Sequence, residues 1–104
     1  MTRAVVAPGI CGMTATIEVA KVGSRRFRVA VTSDCEMVSQ MANSLVELDR
    51  QDVLKPPFDS AVYRCAAECR LHASCPMPMA ITKTIEIEAG LALPQPVSVF
   101  FEIF

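Results

Sequence analysis

Tryptophan is absent from this chain, tyrosine and histidine occur once each, and aromatic residues make up only 6% of 104 positions. Platforms on which bases or sugars stack are therefore poorly supplied. A surplus of basic charge is missing too, since ten Lys and Arg face eleven Asp and Glu for a net charge of −1. Nucleic-acid binders and polybasic membrane-surface modules carry a clustered basic excess, so the composition expects neither partner. No run approaches the roughly 18 apolar residues of a spanning helix. The opening MTRAVVAPGIC is interrupted by Pro8-Gly9 and soon followed by Glu18. That is too short for a signal-peptide core, and Ile10 before Cys11 suits no lipoprotein cleavage site. The expected location is the cytoplasm. Hydrolytic and nucleotide-binding signatures (G-x-S-x-G, a P-loop, G-x-G-x-x-G) are also missing, and one histidine cannot serve several acid–base sites.

What is present is 52% hydrophobic and 20% charged, which excludes intrinsic disorder. The length suits one domain over residues 1–104. Five cysteines and six methionines stand out. In a reducing cytosol, cysteines serve as ligands, nucleophiles or core filler more often than as disulfides.

Residues 13–21 and 26–33 alternate with the period of a half-buried strand, with Gly23-Ser24 as the turn between them. Setting Ile17 opposite Val31 and Val19 opposite Val29 gathers the large apolar residues on one face. In that register Met13 faces Cys35, and Cys11 lies one step beyond, at the same open end of the hairpin. Ser33 and Glu36 form a capping-box pattern, predicting a helix to about Asp49 with Val38, Met41, Leu45 and Leu48 buried. Cys35 falls in its first turn, where the helix dipole favours thiolate while Asp34 and Glu36 oppose it. Beyond Pro56-Pro57, Asp59 or Ser60 caps a second predicted helix, SAVYRCAAECRLH. Pro76 opens a third, which runs to Gly90 as its stop; a strand over IEIE is the alternative. The final VSVFFEIF reads as a strand, with Phe100 and Phe104 available to cover the opposite face of the sheet. The expected fold is α+β, about three helices packed on a small sheet in the order β-β-α-α-α-β.

Cys65-x3-Cys69-x2-His72-x2-Cys75 is the strongest chemical signal. Thiolate and imidazole are the donors that zinc and iron–sulfur clusters select, and Cys65, Cys69 and His72 share one face of the predicted helix. Core packing by small cysteines is the plain alternative. Cys11 and Cys35 form a second group, and a site of Cys11, Cys35 and Cys75 with His72 nearby is equally compatible with the pattern. Met13, Met77 and Met79 read as core. Glu86 and Glu88 read as a solvated helix face.

The stretch HASCPMPMAITKTIEIEAGLALP, with SDCE and PGICG upstream, resembles a small uncharacterised family of cysteine-rich proteins of anaerobic bacteria and archaea. That resemblance covers most of the chain and implies no activity. Locally, Cys75-Pro76 ahead of Thr82-Lys83 and Ile85-Glu86 is similar to a motif of NifU/IscU-type iron–sulfur scaffold proteins. Their paired C-x-x-C is missing here, with His72 in place of its first cysteine. The IscU-type scaffolds use three dispersed cysteines with His or Asp, a set that Cys11, Cys35, Cys75, His72 and Asp34 could imitate. The leading expectation is thus a metal- or iron–sulfur-binding protein, a scaffold or carrier served by metal- or sulfur-delivery partners. Its ligands are drawn from Cys11, Cys35, Cys65, Cys69, His72 and Cys75, and its cofactor is a cluster or zinc. The alternatives are a thiol redox protein using Cys35 as nucleophile and Cys11 as resolving thiol, and an interaction module. The apolar last strand would make that module a homo-oligomer.

Overall fold

The computed structural model describes residues 1–104. Four antiparallel strands, β1 (Thr2–Val6), β2 (Ala15–Lys21), β3 (Arg26–Ser33) and β4 (Glu47–Asp49), form one sheet in sequence order. Helices α1 (Glu36–Ser44), α2 (Arg50–Val53), α3 (Ala61–Glu68) and α4 (Met77–Glu88) complete an α+β fold. The central hairpin has the register expected from its alternation, Ile17 opposite Val31 and Val19 opposite Val29. Burial explains it. Ala15, Ile17, Val19, Phe27 and Val29 all point into the core, whereas a one-residue slip would turn each of them to water.

The helices cover that inner face. Helix α1 lies on β3, α4 lies on β1 and β2, and α3 packs against both helices. Met41, Val62, Met77, Ile81 and Ile85 carry the helical side of the core. Helix α4 is a helix over IEIE because Ile81 and Ile85 keep helical spacing into that core. Gly90, at φ 77°, ends it, with the Leu91 N–H donating to the Glu86 carbonyl at 2.9 Å and the Gly90 N–H to that of Ile87 at 3.0 Å.

The order of elements differs from the expected β-β-α-α-α-β in four places, one of them the short added helix α2. Strand β1 was not anticipated; it pairs Ala4 with Ile17 along the free edge of β2. Helix α1 stops at Ser44 instead of Asp49, and the chain becomes β4, pairing Leu48 with Phe27. Asn43 and Ser44 are weak helix formers. Leaving the helix lets Leu48 stay buried, the Val46 carbonyl accept the Val29 N–H at 2.8 Å, and Glu47 meet the Arg26 guanidinium at 2.7 Å. The expected last strand is absent: residues after Gly90 form no helix or strand, and Phe100 and Phe104 cover no sheet face but stand exposed.

Capping differs as well. Ser33 Oγ accepts from the Cys35 N–H at 3.0 Å, and Ser39 Oγ donates to the Ser33 carbonyl at 3.1 Å. The Ser33–Glu36 box is therefore not formed, and Cys35 is itself the N-cap. Ser60 is the N-cap of α3, yet its Oγ is buried, caps nothing and has no partner. An unpaired buried hydroxyl costs about 1–3 kcal/mol. Ser60→Ala is therefore expected to raise stability by about 1 kcal/mol, opposite in sign to the usual loss of a serine cap. A urea midpoint that falls in this variant would contradict it.

Glu88 is no solvated face residue. Its carboxylate accepts the Thr2 hydroxyl at 2.7 Å and the Lys21 N–H at 3.0 Å, and it lies 3.4 Å from the terminal amine. The Thr2 hydrogen bond, then the Lys21 N–H and the amine, hold its carboxyl below the usual carboxylate range. A depressed folded value stabilises the fold above the unfolded pKa, near 4.3, and that contribution is lost as pH falls through the folded value. The gap in Tm between wild type and Glu88→Gln is expected to be constant above about pH 5 and to close in acid. A gap that does not change with pH would refute this.

Candidate functional site

Three segments of the chain meet at one end of the sheet. The first is the loop from β1 to β2, which turns at Gly9 (φ 95°) and Gly12 (φ 66°), with the Gly12 N–H donating to the Gly9 carbonyl at 3.0 Å. The second is the start of α1, where the β2–β3 register brings Cys35 level with Met13 just past the last pair, Ala15 and Ser33. The third is the connection from α3 to α4.

That connection owes its path to Arg70. The sequence pattern expects the helix to run on to His72, but α3 ends at Glu68 and Arg70 takes the left-handed conformation at φ 59°. The Leu71 N–H then reaches back to the Ala66 carbonyl at 3.0 Å and the Arg70 N–H to that of Ala67 at 3.1 Å, a Schellman closure. A second turn follows, in which the Cys75 N–H donates to the His72 carbonyl at 3.0 Å, and Pro76 caps α4. The shared helical face of Cys65, Cys69 and His72 does not exist.

What forms instead is a cavity of about 370 Å³. Its walls carry Cys11 and Met13 from the first loop, Cys35, Glu36 and Met37 from α1, and His72 and Cys75 from the last connection. Cys11 and His72 are exposed, and Cys35 and Cys75 are half-buried. Two helices begin at this cavity, α1 after Cys35 and α4 after Pro76. Helix N-termini carry partial positive charge and favour anionic groups beside them. No three Cys, His, Asp or Glu side chains stand close enough together to hold one metal ion as the chain lies.

The other two candidates lie elsewhere. Cys65 is 7% exposed, with Sγ 3.9 Å from the Met41 carbonyl, and it lines a separate cavity of about 290 Å³ beside Leu45 and Leu48. Burial, then the neighbouring Cys69, pushes its thiol up to about 11. Cys69 caps α3 and packs against the core margin. Asp34 is exposed and takes no part in the cavity wall. Glu36 and Met37 were missed as wall residues. Only their adjacency to Cys35 could have pointed to them.

No helix is long and apolar enough to cross a membrane. No curated protein and no solved structure matches the chain. Residues 2–101 match the family of unknown function DUF6951, and the chain belongs to that family.

Proposed function

We propose that this protein binds an iron–sulfur cluster at the cavity where Cys11, Cys35, His72 and Cys75 meet, and that it acts as a scaffold or carrier. One observation carries the reading: three cysteines and the only histidine, from three separate segments, line one space at the start of two helices. Thiolate with imidazole is a known cluster donor set. Cys11 on an exposed loop suits a cargo that is received from, and passed to, delivery partners. Such chemistry belongs in the reducing cytoplasm.

Anaerobic reconstitution with iron and sulfide, followed by metal and acid-labile sulfide analysis, tests this. Bound iron and sulfide with charge-transfer absorbance are expected. A colourless protein without iron or sulfide overturns the cluster reading, and bound zinc alone would leave only the cysteine site. Cys35 as N-cap of α1, in the same cavity wall as Cys11, favours a second reading, a dithiol redox pair. It requires Cys35 to be alkylated faster than a free thiol at neutral pH.

A further inference from the structure

Residues 96–104 donate and accept no hydrogen bond. Phe100 and Phe101 are each 88% exposed and Ile103 98%, with Phe104 fully in water. Large contiguous apolar exposure of this kind marks an interaction surface. The sheet has a matching vacancy, because β1 pairs only with β2 and its outer edge has no partner strand. Such an edge presents alternate unpaired N–H and C=O groups. We propose that two copies of this chain exchange their C-terminal segments, each adding residues 97–104 as an outer antiparallel strand on the other's β1.

The register follows from charge and alternation. Glu102 is the only charged residue in 97–104, and Arg3 is the only one in β1. Placing them opposite each other sets Phe101 against Ala4 and Val99 against Val6 on the helix side of the sheet. Phe100 then meets Val5, which is 67% exposed on the open side. Opposite charges and apolar pairs directly across strands are the favourable combinations.

The partner is a second copy because of where the segment leaves the fold. Glu88, at the end of α4, is bonded to Thr2, so the segment departs beside the start of β1. Laid on its own β1 from there, it would run parallel. A two-fold copy presents its edge in the opposite sense, and one interface then buries both segments. Phe101 and Val99 of each copy then lie on the helix side of the partner's sheet, the phenylalanine alone burying about 150 Å² or more.

Sedimentation of the full chain at micromolar concentration tests the proposal, with and without reconstituted metal. Wild type is expected as a dimer. Phe101→Lys and Glu102→Arg are expected to be monomers with unchanged far-UV circular dichroism, and the charge-exchanged Arg3→Glu/Glu102→Arg variant is expected to recover the dimer. A monomeric wild type, or a dimer unaffected by Phe101→Lys, overturns it. Recovery failing in the exchanged pair overturns the register. These results do not depend on metal content, so the cluster reading stands or falls separately.

Discussion

Phe27→Ala is expected to remove about 3–5 kcal/mol of stability, the largest loss of any single truncation in the core. Phe27 is 1% exposed and is the largest fully buried side chain of the protein. It is paired with Lys21 on one side and Leu48 on the other, so its ring lies where β2, β3 and β4 meet beneath the helices. The other phenylalanines, Phe58, Phe100, Phe101 and Phe104, are exposed, so Phe27 is the one phenylalanine in the core. Truncating a core phenylalanine costs about 3–5 kcal/mol through lost transfer energy and an unfilled cavity. Domains of this size hold about 5–15 kcal/mol in total. Urea denaturation followed by circular dichroism should therefore show the midpoint collapsing, whereas Phe58→Ala should shift it by under about 0.5 kcal/mol. A loss below about 1 kcal/mol for Phe27→Ala would mean that β4 closes over the space, and that Phe27 does not anchor the sheet.

The central hairpin was legible because Ile17, Val19, Val29 and Val31 alternate without interruption, and only one register buries them together. Helix α4 was legible from Pro76 and Gly90, whose backbone preferences mark its two ends. Strand β1 was not, because the five residues TRAVV carry no repeat long enough to show a period and are stabilised by the neighbour β2. The end of α1 was hidden for a related reason: Leu45 and Leu48 fit a helical stripe as well as they fit a turn and a strand. Only pairing with Phe27, 21 residues away, decides between them. The last segment has strand composition but no strand beside it in the monomer. At the site, the hairpin register foretold that Cys11 and Cys35 lie together. The helical cysteine face failed at Arg70, a non-glycine residue in a conformation that sequence assigns to glycine.

That failure separates the six candidate ligands into two groups with opposite expected phenotypes. Cys35→Ser and Cys75→Ser each remove a half-buried thiol from the cavity wall, at the margin of the core and not within it. Serine is a poor ligand for soft metals. Loss of a direct ligand should exceed the roughly 10–100-fold weakening that changes behind the ligands already cause. Either variant is therefore expected to retain almost no iron or sulfide after reconstitution, with a metal-free urea midpoint lowered no more than that of Cys69→Ser. Cys65→Ser should do the reverse. It places a hydroxyl at a position 7% exposed, where the Met41 carbonyl lies 3.9 Å from the sulfur it replaces. A poorly paired buried hydroxyl costs about 1–3 kcal/mol, so this variant should lose stability yet bind the full complement of iron per folded chain. Cys69→Ser, at the core margin, should follow Cys65→Ser with a smaller loss. Iron and sulfide counted per folded protein, beside urea midpoints of the metal-free variants, read both effects at once. If Cys65→Ser empties the protein while Cys35→Ser leaves it loaded, the ligands belong to the α3 group, and the cavity between the two helix starts is not the site.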